Sequence, residues 1–378
     1  MRSRVWTITK RVALSLFGLS LALIVSGLAY RGYRQYQSDK ALGIDSANGI
    51  DEAMFVRVGG IDQWITIRGQ HRDNPVLLLL HGGPGVAMSP FALDTLSWES
   101  QFTIVQWDQR GAGKTYGKSA PLDPGTTIDR MVQDGVELTE LLRRQLHEPK
   151  VTLVGVSWGT IVGVQMAKAR PDLFDAYVGT GQVVNQRRGD PLSYTELLAE
   201  ARARRDAAAI RELEAIGPPP YDALSELGVR TRWALAYEAG APSRMGILAD
   251  VLLAPRYTLR DCFNWIAGTE NSQSHFFGET MTGPIMQLDL ATVGTQFAIP
   301  MFVFQGAEDR ITPTQLVIAY VDAITAPQKK LVLIEGAGHM AVMTRSDEFL
   351  RLLVQWVRPL TAREAARKGE PTRRASSQ

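Results

Sequence analysis

Residues 12–30 carry no charged side chain and follow the basic positions Arg2, Arg4, Lys10 and Arg11. An apolar run of that length crosses the hydrocarbon core of a bilayer as a helix, so residues 1–30 predict a basic segment and a transmembrane anchor. A cleavable signal sequence ending at the small-residue site Gly27-Leu28-Ala29 is the alternative. Residues 31–51 are polar and read as a linker. Two runs at 54–58 and 64–68 then predict strands, and the apolar runs at 76–80, 103–107, 151–156 and 176–184 predict four more. Residues 128–146 carry apolar positions at helical spacing, and a second helix follows the 151–156 strand. Strands alternating with helices predict an α/β fold, a mostly parallel, twisted sheet with helices on both faces, built from residues 52–185 and 286–360. From 186 to 285 the pattern changes to helical segments rich in Ala, Arg, Glu and Leu. They are broken by Gly217-Pro218-Pro219-Pro220 and by Ala254-Pro255, which predicts an inserted helical cap. The sheet resumes at Pro300, and the polar, basic residues 361–378 predict a disordered tail.

The candidate chemistry sits at strand ends. Gly155-Val156-Ser157-Trp158-Gly159 fits GxSxG, in which a strand turns sharply into a helix and presents a serine nucleophile. The glycines are required because a Cβ would clash in so tight a turn. Alone, five residues are a weak signal, a glycine-rich turn with a solvated serine being the alternative. His81-Gly82-Gly83-Pro84-Gly85, after the 76–80 strand, supplies the loop that shares an oxyanion with the N–H following the nucleophile. Gly83 and Trp158 are therefore the expected oxyanion-hole residues, and His81 is expected to order the loop without taking part in chemistry. The acid and the base should follow in the order Ser, Asp, His. A strand at 300–305 runs into Gly306-Ala307-Glu308-Asp309, and another at 330–334 runs into Gly336-Ala337-Gly338-His339. Asp309 and His339 complete the expected catalytic triad with Ser157. Glu308 could substitute for Asp309, but it precedes the position where the turn would aim a carboxylate at the imidazole. His71, His147 and His275 have no strand-end setting and read as solvated or packed. In this arrangement His339 takes the proton of Ser157 as it attacks an acyl carbon, Asp309 fixes the tautomer, and water releases the acid from an acyl-enzyme. That chemistry requires no metal and no organic cofactor, and the single cysteine and five histidines show no metal-ligand spacing.

HGGPG, then Trp107-Asp108-Gln109-Arg110-Gly111-Ala112-Gly113, then GVSWGT, with Asp309 and His339 behind, resemble the prolyl aminopeptidase (proline iminopeptidase) branch of the α/β-hydrolases. The three motifs in that order are far more specific than any one of them. The resemblance runs over residues 52–360 and implies the α/β-hydrolase fold with a helical cap closing over the site. It implies a serine aminopeptidase that releases an N-terminal residue, often proline. It also implies cap glutamates that bind the substrate's α-amine, one of them in a Trp-x-x-Trp-Glu segment. The nearest match is Trp233-Ala234-Leu235-Ala236-Tyr237-Glu238, with Tyr in place of the second Trp and the first out of register by one. Glu238 is thus the candidate substrate-binding residue, an ordinary solvated helix residue being the alternative. The second glutamate motif has no match, and Asp261-Cys262-Phe263-Asn264-Trp265 occupies that region.

Gly111-Ala112-Gly113-Lys114-Thr115 ends like a phosphate-binding loop, but that pattern needs a glycine where this chain has Asp108. The turn is better read as structural, with Asp108 and Arg110 tying neighbouring loops together. A chain of 378 residues, 45% hydrophobic and 21% charged, can bury a large core, and a net charge of +2 is too small to argue for nucleic acid. The only cysteine, Cys262, excludes a lipid-modified N-terminal cysteine and any internal disulfide. Basic residues nearly balance across the apolar span, with Arg31, Arg34 and Lys40 after it, and the small excess before it favours a catalytic domain outside the cytoplasm. Three readings follow: a prolyl-type aminopeptidase acting on short peptides or small molecules, a carboxylesterase or lipase on the same triad, and a binding protein without catalysis. The last is disfavoured because every triad and oxyanion position is filled. The first two differ only in the cap, and no motif encodes residue preference or oligomeric state.

Overall fold

A computed structural model of the chain describes residues 2–119 and 121–361. Eight strands form one sheet in the order β1-β2-β4-β3-β5-β6-β7-β8. These are β1 (Ile50–Val58), β2 (Ile61–Gly69), β3 (Val76–Leu80), β4 (Thr103–Asp108), β5 (Val151–Val156), β6 (Phe174–Thr180), β7 (Met301–Gly306) and β8 (Lys329–Ile334). β2 runs antiparallel to both β1 and β4, and every other pair is parallel. β3 is buried along its whole length because both of its faces are covered. Leu77 and Leu79 face a cluster with Trp98, Phe102, Phe302 and Phe349, while Leu78 and Leu80 face Trp107, Leu138, Ile161 and Val164 on the other side. The chain leaves β3 toward β4 on one side and returns to β5 on the other. This is the switch point at which loops diverge and open a crevice beyond the carboxyl ends of the strands.

α1 (Arg2–Ala41) precedes the sheet, and α2 (Gly113–Ser119), α3 (Ile128–Leu146) and α4 (Trp158–Ala169) pack against it, with further helices at Thr314–Ala323 and Ser346–Leu352. Between β6 and β7 lie α5 (Gln186–Arg204), α6 (Ala207–Ile216), α7 (Leu224–Tyr237), α8 (Arg244–Leu253) and α9 (Leu259–Phe277), then single turns at Pro284–Gln287 and Leu290–Val293. Capping explains their boundaries. Asp206 accepts the N–H groups of Ala208 and Ala209 to start α6, and Thr258 and Asp261 exchange hydrogen bonds to start α9. Pro218 and Pro255 follow the ends of α6 and α8, where their rings bar continuation.

Three sequence expectations differ from the structure. The first hairpin is longer than the runs at 54–58 and 64–68, pairing Ile50 with Gly69, because on this edge strand Asp51 pairs with Arg68 at 2.6 Å and Arg256 at 2.8 Å while Glu52 stays partly exposed on the other face. β6 stops at Thr180 rather than 184: Gly181 turns the chain, and side chains take the next N–H groups, Gln305 that of Gln182 at 3.0 Å and Thr160 that of Val183 at 3.0 Å. Residues 31–41 are not linker but the last turns of α1. Arg31 Nε donates to Leu252 O at 2.9 Å, Gln35 Nε2 donates to Ala254 O at 2.7 Å, and Arg256 pairs with Asp39 at 2.9 Å. Polar side chains that would leave a free helix marginal here secure it to the cap. Of the basic tail expected at 361–378, only Thr361 is among the described residues.

The DQRGAG turn is held by a buried carboxylate. Asp134 on α3 takes Arg110 Nε at 2.8 Å, Gln63 Nε2 at 2.8 Å and Arg130 Nε at 2.8 Å, and Arg110 also donates to Gly59 O at 2.7 Å. Arg110 thereby ties the first hairpin turn to α3, as its place in the motif suggested. The Asp108 carboxylate accepts Lys114 N–H at 2.9 Å and starts α2, and Thr115 Oγ1 donates to Asp108 O at 2.5 Å. Lys114 and Thr115 are therefore used structurally. Asp134→Ala would leave Arg110 without its carboxylate and is expected to destabilise the fold by about 3 kcal/mol, the lower end for a broken buried pair because Arg110 is partly exposed and keeps Gly59 O. A lowered urea midpoint at unchanged slope checks this, and Asp134→Asn should lose less because it keeps an acceptor.

Candidate active site

Ser157 stands between β5 and α4 with φ 51° and ψ −117°, a backbone that an L-residue keeps only when its surroundings hold it there. Thr160 supplies part of that hold, its N–H and Oγ1 donating to the Ser157 carbonyl at 2.8 and 2.6 Å. The Ser157 N–H donates to Thr180 O at 2.9 Å. Gly159 sets the tightness of the turn: a Cβ there would lie 2.0 Å from the carbonyl oxygen of Leu80 at the end of β3. On the other flank a Cβ on Gly82 would lie 3.2 Å from Ser157 Cβ, so the HGGPG loop runs directly against the serine. Trp158 heads α4, where first-turn N–H groups have no intrahelical acceptor and the helix dipole is positive. Its buried indole donates to Gln109 Oε1 at 2.9 Å and packs on Phe276 with ring centroids 4.5 Å apart. His81 orders the loop as expected. Its Nε2 accepts Gln109 N–H at 3.2 Å, its Nδ1 meets Gly82 O at 2.8 Å, and burial lowers its pKa to about 4, which keeps it neutral.

Asp309 follows β7 and His339 follows β8, as the strand ends predicted, and the fold brings them together. His339 Nδ1 lies 2.9 Å from Asp309 Oδ2 and 3.2 Å from Oδ1. Asp309 is buried and saturated: Ile311 N–H and Thr312 N–H donate to Oδ1 at 2.8 and 2.9 Å, while Thr312 Oγ1 and Gln305 Nε2 donate to Oδ2 at 2.6 and 2.8 Å. Burial alone would raise the Asp309 carboxyl, but the His339 charge and these hydrogen bonds outweigh it and hold the group below its ordinary value. Burial likewise opposes protonation of His339, and the Asp309 carboxylate outweighs it, so the imidazole titrates above 6.5. Glu308 is exposed and lies outside this network. Ser157 and His339 each approach the end of β6. Thr180 holds the serine backbone, and a Cβ on the next residue, Gly181, would lie 2.8 Å from His339 Cε1. No hydrogen bond joins Ser157 Oγ to the imidazole among the described residues, a bond that in unliganded sites is often long.

Glu238, at the carboxyl end of α7, is buried, so the solvated-helix alternative fails. Its Oε1 accepts the N–H groups on both sides of His339, from Gly338 at 3.1 Å and from Met340 at 2.8 Å. Burial raises its carboxyl above the ordinary value against the pull of these N–H groups. The same helix carries Arg230, fully buried and paired with Asp190 at 3.3 Å. Neither Arg230 nor Gly181 has a sequence signal that marks it. Thr312 has one, because an Asp followed three residues later by Thr ahead of a helix is a turn in which the carboxylate takes two backbone N–H groups. The remaining histidines serve elsewhere: His147 ends α3 with φ 54°, His275 Nε2 meets Thr126 O at 2.6 Å, and His71 lies on the surface. Among the described residues no group of three or more His, Cys, Asp or Glu side chains is placed to hold a metal ion.

A family described as alpha/beta hydrolase fold matches residues 75–346. The chain is 26% identical over 306 residues to the probable aminopeptidase YbaC of Bacillus subtilis, covering 80% of this chain and 94% of that one. It is 26% identical over 297 residues to a proline iminopeptidase of Lacticaseibacillus rhamnosus, covering 77% of this chain and 92% of the relative. The crystal structure of a Mycobacterium smegmatis proline iminopeptidase superposes with a TM-score of 0.57 at 19% identity, covering 83% of this chain and all of that one. An esterase from Exiguobacterium antarcticum superposes with a TM-score of 0.55 at 17% identity, covering 81% of this chain and 99% of that one. At these identities the structural likeness shows the fold alone.

The electrostatics around His339 predict a titration. The imidazole should titrate above 6.5 by NMR, and Asp309→Asn, which removes the neighbouring charge but not the burial, should move the midpoint below 6.5. A raised folded-state pKa also means that the stability contributed by protonation of His339 is full below 6.5 and lost as pH rises through the folded midpoint. A midpoint indifferent to Asp309→Asn would contradict the assigned cause.

Proposed function

The chain belongs to the α/β-hydrolase fold family and is a hydrolase, and from that premise we propose that it is a serine aminopeptidase acting on short peptides through Ser157, His339 and Asp309. The observation that carries this reading is the Glu238 carboxylate. The cap delivers it to the His339 loop, Oε1 is engaged by Gly338 and Met340, and Oε2 has no hydrogen-bond partner among the described residues. Oε2 is open to solvent beside the proposed acyl-transfer site, where the α-ammonium of a peptide would pair with it and a simple ester would not.

In this mechanism Ser157 Oγ attacks the acyl carbon and its proton passes to His339 Nε2, while Nδ1–H donates to Asp309. The N–H groups of Gly83 and Trp158 hold the oxyanion. His339 then gives the proton to the leaving amine, and water, activated by the same imidazole, releases the N-terminal residue from the acyl-enzyme. Because the base must be neutral, kcat/KM should rise with pH through a midpoint above 6.5. Residues 12–30 of α1 act as a membrane anchor in this reading, with the hydrolase body outside the cytoplasm. The apolar stretch of α1, exposed on every side from Lys10 to Tyr30, supports the anchor.

Two variants test the proposal on the full chain in detergent. Ser157→Ala should abolish labelling by a fluorophosphonate and reduce turnover by a factor on the order of 10⁴ or more. Labelling of a different serine would overturn the mechanism. Glu238→Gln keeps an oxygen for Gly338 and Met340 but removes the charge, a contact worth about 1.5–3 kcal/mol, or roughly 10- to 150-fold in kcat/KM on proline arylamide. Short p-nitrophenyl esters, lacking an ammonium, should change by less than about threefold. An enzyme that prefers the esters and ignores Glu238→Gln is an esterase.

A further inference from the structure

α8 and α9 each expose one apolar stripe. On α8, Met245 and Leu252, 74% and 43% exposed, lie seven residues apart on one face. On α9, Leu259, Phe263 and Ile266, 52%, 69% and 38% exposed, recur at the spacing i, i+4, i+7. Large apolar groups gathered on two neighbouring helices mark an interaction surface. What covers them is indicated by α1. Arg31 is the first charged residue after the apolar run, and it donates to Leu252 O at 2.9 Å and to Tyr257 O at 2.5 Å. One turn later Gln35 holds Ala254 O and Tyr257 O at 2.7 and 2.8 Å, and Asp39 pairs with Arg256 at 2.9 Å. The cap corner between α8 and α9 is therefore fixed at the depth where the span ends. Any bilayer that α1 crosses has its surface there, within reach of both stripes. Arg31 and Arg34 on α1, Arg244 on α8 and Arg260 on α9 carry positive charge that anionic headgroups attract, set among Asp250 and Asp261 on the same helices.

We propose that the apolar stripes of α8 and α9 dip into the bilayer interface beside α1, so that the cap is a second, monotopic membrane contact. This inference rests on the anchor reading of α1. Interfacial helices bury such a face by roughly 5–10 Å at the headgroup boundary. The opposite face of α9 grips the catalytic loops, with Trp265 Nε1 donating to Ala87 O at 2.9 Å, Thr269 Oγ1 to Gly85 O at 3.0 Å and Ser272 Oγ to Gly111 O at 2.9 Å. One helix thus links the lipid surface to the loop that carries Gly83. Peptides that partition into the interface would meet the cap there.

The full chain, reconstituted into vesicles of phosphatidylcholine and phosphatidylglycerol, tests this. In a Cys262→Ser background, Phe263→Cys would carry a polarity-sensitive fluorophore, with Glu335→Cys, exposed after the strand at the far sheet edge, as the control. The expected result is a blue-shifted emission at position 263, quenched by spin-labelled lipid, and neither effect at 335. Adding Leu259→Glu and Ile266→Glu should abolish the shift while the chain still floats with the vesicles after a carbonate wash, since α1 is intact. A floating chain whose label at 263 stays in water overturns the contact and leaves the anchor standing. A blue shift in native membranes but not in pure lipid assigns the stripes to a partner protein and also overturns it. A chain that fails to float loses both anchor and contact.

Discussion

The close passage of α4 over β3 is the constraint on which the rest of the site depends. Gly159 has room for no side chain because the Leu80 carbonyl occupies the space, and the turn so compressed lifts Ser157 into a backbone conformation that costs about 1–3 kcal/mol. Hydrogen bonds from Thr160 and to Thr180 hold it there. That strain is tolerable because the strands beneath are buried on both faces and cannot shift without opening the core. With the serine raised, the loops after β3 and β6 flank it, one bringing Gly82 and Gly83 and the other bringing Gly181 against His339.

The second organising feature is the connection between cap and core. Glu238 reaches from α7 to the two N–H groups that bracket His339, so the position of the imidazole depends on an element inserted about a hundred residues earlier. α9 makes a similar connection to the loops at Gly85 and Gly111. α1 in turn holds the corner between α8 and α9. The cap is thereby bonded to the His339 loop, to the HGGPG loop and to the apolar N-terminal helix. A shift of the cap would be felt on both sides of Ser157, since interfaces of this kind move between discrete packings rather than deforming smoothly.

Much of this was legible in the chain itself, for local reasons. Strands buried on both faces must be apolar runs, so β3, β4 and β5 declare themselves. A strand-to-helix turn of this tightness tolerates only glycine where backbones nearly touch, so Gly155 and Gly159 flank Ser157 in a recognisable pattern. Asp309 and His339 stand just beyond the ends of β7 and β8, after Ser157 in the chain. The matches to aminopeptidases agree with the resemblance drawn from HGGPG, DQRGAG and GVSWGT, and the family match over residues 75–346 agrees with the fold.

What only the tertiary structure decided concerns groups whose partners lie far away in sequence. Polar residues 31–41 read as a linker because nothing local favours a docked helix, and their helical state comes from carbonyls of the 252–257 loop. The end of β6 at Thr180 depends on Gln305 and Thr160 side chains taking N–H groups that a longer strand would have used. Glu238 could be named as a candidate from its neighbours, but its burial and its two hydrogen bonds around His339 are invisible without the fold. The sequence by itself determined which residues can turn sharply, lie buried and carry protons. Only three-dimensional packing decided which distant polar groups meet, because a hydrogen bond or ion pair between residues a hundred positions apart leaves no periodicity to read.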